Sequence, residues 1–353
     1  MAAALRLAEL GAYTTKPNPR VGCVLVNDGE VVGTGWHRRV GGPHAEVFAL
    51  REAGARARGA TAYVTLEPCA HHGHTPPCAD ALVAAGVARV VAACEDPFPA
   101  VAGGGLARLR AAGVVVECGL QREHARELNR GFMSRFERGR PWVRVKLAQS
   151  LDGRTALQDG HSQWITGAAA RADVQHWRAR SGAVLTAAGT ARADNPRLTV
   201  RFDGARAFAA PLRVVVDTRL DALKPGCHLL DATAPTLVIY GDAPAVPPPR
   251  SGIEYLKLPM RDGRMQLDAL LAALVARGVD EVQVEAGPVF SGALFAAGLV
   301  DELLLYIAPL LLGDKALPLL ALPQLSDMSA RWALRVVDRR QVGDDERLLL
   351  RPV

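Results

Sequence analysis

The chain has 353 residues, enough for about two domains at roughly 150 residues each, and its 49 % hydrophobic and 22 % charged content is that of a folded globular protein rather than a disordered one. The net charge of +6 is scattered as single arginines, which speaks against nucleic-acid binding and suits small anionic substrates such as phosphates. No run approaches the roughly 18 apolar residues of a membrane span, since the richest, Leu303 to Leu312, is short and holds Pro309.

The chain opens on an Ala/Leu helix pattern, Ala2 to Ala12, which carries Arg6 and Glu9 and lacks a signal-peptide core. Val21 to Val26 and Glu30 to Trp36 are expected as strands around an Asn27-Asp28-Gly29 turn. His44 to Arg58 then follows as a helix, Thr61 to Leu66 as a strand and Cys78 to Ala85 as a helix. Arg89 to Ala93 is expected as a buried strand, and Gly105 to Ala112 with Val114 to Glu117 as another helix–strand pair. Alternation at this spacing predicts an α/β sandwich with several parallel strands. Leu120 to Arg138 continues as one charged helix, and Gly139-Arg140-Pro141 breaks it. The domain boundary is therefore placed here, giving domains 1–140 and 141–353.

The second half again predicts α/β structure. A strand from Trp142 to Leu147 precedes a helix over Ala168 to Ala179, with strands near Val184, Val214, Leu237 and Glu281. The Pro-rich stretch Ala243 to Arg250 is a surface loop, Val289 to Ala297 a helix, and strands near Leu304, Leu334 and Leu348 close the pattern. Six cysteines in a chain of this length do not make a disulfide framework. A reducing cytoplasm is expected, where paired cysteines bind metal or do chemistry.

The sharpest motif is Pro43-His44-Ala45-Glu46 followed by Pro68-Cys69 and Pro77-Cys78. Hydrolytic deamination needs a Lewis acid that generates a nucleophile near neutral pH and a group that shuttles protons. His44, Cys69 and Cys78 supply three zinc ligands with a fourth position left open, and Glu46 stands ready as the acid/base group. The order His-x-Glu, then Pro-Cys, is the known mark of zinc deaminases. The interval between the cysteines departs from it: Ala70 to Pro77 takes the place of the usual two residues. That interval holds His71, His72 and His74, expected as substrate or outer contacts rather than ligands.

Asn18-Pro19-Arg20-Val21-Gly22, His44-Ala45-Glu46, and Glu67-Pro68-Cys69 through His72-Gly73-His74-Thr75-Pro76-Pro77-Cys78 together resemble the bifunctional deaminase/reductase family of riboflavin biosynthesis. The resemblance implies an N-terminal cytidine-deaminase-like three-layer α/β/α domain. Its zinc-dependent reaction removes the amino group at C2 of a diaminopyrimidinone ribosylamine 5′-phosphate. Phe98 and Gly104 stand where that family usually shows asparagine and lysine.

The second half carries no Gly-x-Gly-x-x-Gly. Its nearest phosphate cradle is Gly287-Pro288-Val289-Phe290-Ser291-Gly292, after a strand and opening a helix; alone it is an ordinary strand–turn–helix. Lys146 to Gly153, Ser162 to Gly167, Gly189-Thr190, Asp194 to Arg201 and Asp217 to Arg219, in that order, resemble the reductase domain of the same family. A dihydrofolate-reductase-like α/β fold using NADPH is implied. By that resemblance the cofactor meets Ala148, Trp164, Thr190, Asp194, Thr218 and the turn Gly287, Pro288, Val289, Phe290, Ser291, Gly292 and Ala293. The sugar phosphate meets Ser162, Arg178, Leu198, Arg201 and Glu285, the arginines as forked donors. Ala187 and Ala286 replace frequent glycines and place methyls near the expected cofactor path. The expected reaction is hydride transfer to the opened ribose C1′, with no evident proton donor. The resemblance also implies a homo-oligomer. The alternatives are a deaminase whose second domain only binds or dimerises, a nucleic-acid base deaminase, disfavoured by 5 % aromatics and unclustered arginines, and a structural zinc protein with a closed fourth ligand.

Overall fold

The computed structural model describes residues 1–70, 77–243 and 245–353 and divides into two compact units, residues 1–139 with 207–209, and residues 140–206 with 210–353.

In the first unit, α1 (Ala2–Glu9), β1 (Gly22–Asn27), β2 (Glu30–Trp36), α2 (Ala45–Ala53), β3 (Thr61–Val64), α3 (Cys78–Ala84), β4 (Arg89–Ala92), α4 (Gly104–Ala111), β5 (Val115–Cys118), α5 (Arg122–Leu128) and α6 (Arg130–Arg138) follow in order. The five-stranded sheet runs β2-β1-β3-β4-β5, antiparallel at β2-β1-β3 and parallel from β3 to β5. Helices cover both faces. A methyl on Gly22 would overlap the Ala4 carbonyl of α1, while one on Gly35 would overlap the Ala45 carbonyl of α2 on the other face. That close seating holds the start of α2 against the sheet. The core beneath it joins Cys23, Leu25, Ala45, Ala49, Val64, Leu82 and Leu106. The single helix expected over Leu120 to Arg138 is two. Asn129 interrupts it because its carboxamide accepts from Arg20 N at 2.8 Å and donates to Arg20 O at 2.9 Å, which holds the chain out of helical register.

The second unit runs β6 (Trp142–Ser150), β7 (Arg154–Ala156), α7 (Ala168–Arg180), β8 (Ala183–Ala187), α8 (Ala188–Asp194), β9 (Leu212–Val216), β10 (Thr236–Tyr240), β11 (Ile253–Lys257), β12 (Met260–Arg261), β13 (Arg264–Met265), α9 (Leu267–Val275), β14 (Glu281–Val284), α10 (Pro288–Ala296), β15 (Glu302–Ala308), β16 (Leu317–Pro318), β17 (Leu334–Val342) and β18 (Asp345–Pro352). Its nine-stranded sheet has the order β11-β10-β9-β8-β14-β6-β15-β18-β17. The first seven strands are parallel and the last two antiparallel. Strands such as β9 and β10 are apolar almost throughout because helices bury both faces. On one face Val145, Leu185 and Val214 pack with Leu270, Leu274, Leu294 and Phe295 of α9 and α10. On the other, Val174 and Trp177 of α7 meet Leu304 and Tyr306. Helix α9 and edge strand β11 are absent from the sequence expectation. Leu267–Val275 is apolar nearly all round, so its periodicity does not separate a buried helix from a buried strand.

Candidate functional site

Three separate elements of the first unit deliver the metal-type ligands. His44 is the N-cap of α2, in extended conformation (φ −77°, ψ 169°), so its ring stands off the end of the helix. Cys69 follows the strand β3, and Cys78 opens α3 directly after Pro77. Their donor atoms all lie within 4.8 Å of one another, with His44 Nδ1 at 3.6 Å from Cys69 Sγ and 3.3 Å from Cys78 Sγ. No fourth His, Cys, Asp or Glu among the described residues joins the group. His71, His72 and His74 lie outside the described residues.

The donor set fits zinc: one imidazole and two thiolates at tetrahedral-site spacing, with a position to spare. Hydrogen bonding from Cys78 holds Cys69 down to about 4, while the same contact and burial push Cys78 up. Glu46, in the first turn of α2, is 3 % exposed, and its Oε2 has no hydrogen-bond partner. Burial raises its carboxyl, offset in part by His44. A buried carboxylate with an unpaired oxygen two residues from a ligand is poised to accept a proton from something small beside the metal.

Glu67, which opens the Glu67-Pro68-Cys69 motif, has a role that its place in the sequence does not reveal. Its carboxylate accepts from four backbone N–H groups, those of Asp96 (3.2 Å), Gly103 (3.0 Å), Gly105 (2.9 Å) and Leu106 (3.1 Å). It thereby bolts the 96–106 segment to the chain that carries Cys69, and a methyl on Gly105 would overlap the Pro68 carbonyl oxygen. The signal available in the sequence was an acid ending an apolar strand, with a glycine run later to receive it. In the same segment the Phe98 ring packs against Phe136, tilted by 50° with centroids 5.1 Å apart, and Gly104 opens α4.

In the second unit the expected residues gather at the carboxyl ends of the parallel strands, where open α/β sheets bind ligands. Ala148 lies near the end of β6, Thr190 in α8 after β8, Thr218 just past β9, and Glu285 to Gly287 just past β14. Thr190 Oγ1 accepts from Gly287 N at 3.0 Å, which links two of these turns. A methyl on Gly189 would meet nothing within 4 Å, and one on Gly287 only Thr190 Oγ1 at 3.7 Å, so neither backbone is packed closely on that side. Ala187 is extended (φ −122°) and packs with Ala286 against the core. Ala286 is buried in that core and Ala187 partly buried against it. Ser162 Oγ donates to Asp194 Oδ1 at 3.4 Å, joining an expected substrate residue to an expected cofactor residue. Burial raises the Asp194 carboxyl, offset by that bond. Trp164 is 67 % exposed, with the Arg171 guanidinium 4.6 Å from its ring centre.

Within the turn that opens α10, Pro288, Val289, Phe290 and Ala293 remain at least partly exposed. Ser291 and Gly292 face inward: the Ser291 hydroxyl donates to Ala286 O at 3.0 Å, and Gly292 abuts the Ala321 backbone. Leu198 is 1 % exposed with φ +51°, so its side chain belongs to the core and only its backbone is available to a ligand. Arg178 is enclosed by Glu285 and Thr199, whereas the exposed Arg201 guanidinium makes only 3.4 Å contacts with Thr199. Lys146, unassigned from the sequence, is half-buried and feels the charges of Glu285 and Arg178; desolvation lowers its pKa, and Glu285 opposes that.

Comparison with known proteins places both units. Residues 1–94 match the cytidine and deoxycytidylate deaminase zinc-binding region, and residues 141–345 match the RibD C-terminal domain. The riboflavin biosynthesis protein RibD of Escherichia coli is 47 % identical, covering 98 % of this chain and 96 % of that protein. Its Haemophilus influenzae counterpart is 44 % identical over 100 % and 96 %. Among solved structures, Acinetobacter baumannii RibD is 44 % identical with a TM-score of 0.91, covering 100 % of this chain and 97 % of that one. A Thermotoga maritima diaminohydroxyphosphoribosylaminopyrimidine deaminase/5-amino-6-(5-phosphoribosylamino)uracil reductase is 33 % identical with a TM-score of 0.88 at the same coverage.

Proposed function

The chain belongs to the bifunctional deaminase/reductase family of riboflavin biosynthesis, and from that premise we propose which of its residues carry each reaction. It is an enzyme with a zinc-dependent pyrimidine deaminase in its first half and an NADPH-dependent reductase in its second. It acts on 2,5-diamino-6-(5-phosphoribosylamino)pyrimidin-4(3H)-one and then on the deaminated product, whose ribosyl group becomes ribityl.

For deamination, His44, Cys69 and Cys78 hold the zinc ion. Zinc supplies the Lewis acidity that makes water a nucleophile near neutral pH. Glu46 takes the proton from the attacking water through its unpaired Oε2 and returns it to the departing amine. The single observation that carries this reading is the convergence of the three donors within 4.8 Å beside that buried oxygen.

For reduction, Thr190, Asp194, Thr218 and the backbone at Gly287 to Phe290 line the NADPH site, and Ala148 and Trp164 flank it. NADPH supplies the hydride to C1′ of the opened sugar. Arg201 receives the 5′-phosphate. Arg178 and Glu285 form one rigid pair whose remaining acceptor capacity faces the ribose hydroxyls, and Ser162 with the Leu198 backbone completes the sugar site. The protein contributes position and charge.

The domain division at 140/141, a cytoplasmic location and self-association belong to the same proposal. The division into compact units between residues 139 and 140 supports the first, and the six cysteines, none of them in a disulfide, support the second. No helix among the described residues is long and apolar enough to cross a membrane.

The test supplies zinc-loaded protein with the diaminopyrimidine substrate, with and without NADPH, and identifies both products. Deaminated ribosyl compound without NADPH and ribityl compound with it are expected. Arrest at the deaminated compound in both arms would leave the second half a binding module.

A further inference from the structure

The first reaction takes a substrate that carries a 5′-phosphate, and no residue of the first unit has been assigned to receive it. Arg108 is placed for that task. It lies in α4, whose start is fixed to the Cys69 segment because Glu67 accepts from Gly105 N at 2.9 Å and Leu106 N at 3.1 Å. The Arg108 side chain reaches both segments that bear cysteine ligands. Its Nη1 donates at 3.4 Å to the carbonyl oxygen of Ala70, the residue after Cys69. Its Nε pairs with the Asp80 carboxylate in the first turn of α3, two residues after Cys78.

The helix explains that reach. Side chains lean toward the N-terminus of a helix, so Arg108 lies over the turn that begins at Gly104. Gly104 has no side chain to obstruct it, and a methyl there would meet Ala70 Cβ at 3.7 Å, an ordinary contact. Positions 104 and 108 therefore share one face of α4, and that face is turned toward residue 70.

The two contacts do not exhaust the guanidinium. Arginine carries five N–H donors, and among the described residues Nη2 has no partner. The Arg108 side chain is 48 % exposed and that of Asp80 35 %. An ion pair so open to water contributes little to stability, which makes a bracing role a poor account of this arginine. Asp80 and the Ala70 carbonyl instead fix the orientation of the fork, and a fork set in advance loses little freedom when it takes an anion. The Asp80 carboxylate offsets part of the positive charge, yet it engages Nε and leaves both Nη2 donors for a phosphate of about −1.5 to −2 charge. The place also suits the shape of the substrate. Arg108 meets the residues that follow the ligands rather than the ligands themselves, and a pyrimidine ring and a ribose separate the amino-bearing carbon from the phosphate.

We propose that Arg108 receives the 5′-phosphate of the aminopyrimidine and makes the deaminase selective for the phosphorylated substrate. The proposal rests on the deaminase reading above.

The test uses the full-length zinc-loaded protein and two substrates, the diaminopyrimidine ribosylamine 5′-phosphate and the same compound with its phosphate removed. Arg108→Ala should lower kcat/KM for the phosphorylated compound by about 10- to 100-fold, mainly through KM, as expected for one charge-assisted contact to an anion. The dephosphorylated compound should be deaminated as by the wild type, and zinc content and the reductase rate should be unchanged. Gly104 is helical, so a side chain is accommodated there. Adding Gly104→Lys to Arg108→Ala, which returns a cation to the same face one turn earlier, should restore most of the preference. Asp80→Ala should leave the preference in place. Equal losses on both substrates, reproduced by Asp80→Ala and not rescued by Gly104→Lys, would make Arg108 a brace between the cysteine segments and overturn the proposal. A wild type that does not distinguish the two substrates would overturn it as well. Deamination by the wild type tests the deaminase reading separately.

Discussion

Arg178 and Glu285 meet through two parallel hydrogen bonds of 2.7 Å each, Nε to Oε1 and Nη2 to Oε2, joining the last turn of α7 to the residue that follows β14. The remaining Arg178 nitrogen donates to Thr199 O at 2.9 Å, and Gln283 Nε2 donates to Glu285 Oε1 at 2.8 Å. Both side chains are nearly enclosed, at 10 % and 14 % exposure. Three of the five N–H donors of this arginine are thus engaged, two by the Glu285 carboxylate and one by the Thr199 carbonyl.

Breaking such a pair leaves a buried charge without a partner, which costs about 3–5 kcal/mol. Arg178→Ala should therefore lower the stability of the second unit by that order in calorimetric unfolding. Replacing Arg178 and Glu285 together should cost less than the sum of the single replacements. Additive losses would show that the two side chains act independently.

The same pair sets a dependence on pH. Burial works to raise the Glu285 carboxyl, but Arg178 and Lys146 hold it down to about 2, below the ordinary 4.5. A carboxyl depressed in the folded state contributes stability that is present above about pH 4.5 and is lost as pH falls through about 2. The stability gap between wild type and Glu285→Gln should be widest at neutral pH and close toward pH 2. A gap that stays constant over that range would rule out the linkage.

Glu46→Gln keeps the size of the side chain and removes its basicity. Bound zinc should be retained and deamination abolished, while NADPH-dependent reduction of supplied deaminated intermediate continues. Chelation of the metal should produce the same split, reversed by adding zinc. Deaminase turnover surviving in Glu46→Gln would take the proton transfer away from this residue.

Arg201→Ala removes an exposed guanidinium held only by Thr199 contacts of 3.4 Å. Stability should be unchanged, while reductase KM for the sugar phosphate rises by about 10- to 100-fold, the weight of one charge-assisted hydrogen bond to an anion. Deamination should proceed at the wild-type rate. An unaltered reductase KM would move the phosphate elsewhere.

Glu67→Gln places an amide NH2 among four backbone donors that now share one carboxylate. Loss of the charge-assisted bonds should destabilise the first unit by about 2–3 kcal/mol, together with weaker zinc retention, because Cys69 is two residues away. Metal titration followed by calorimetry reads both effects. A melting curve identical to wild type would leave Glu67 without the clamping role.

Read as a string, the chain displays both α/β halves, the order of most strands and helices, and the His44, Cys69 and Cys78 set with Glu46. These come from local periodicity and from residue types whose chemistry is stated by identity alone: a thiol after proline, a histidine at a helix start, an acid two residues on. Other features depend on contacts far along the chain. Asn129 divides an unbroken helical pattern through bonds to Arg20, and Glu67 finds its four donors about thirty to forty residues later. Two donors of Arg178 are claimed by a residue 107 positions away, and the burial of Ala286 and Leu198 is set by the sheet and helices around them. Chemical type and period are properties of neighbouring residues and survive in one dimension. The partner of a buried charge and the burial of a side chain are decided only when packing chooses which distant groups share a space closed to water.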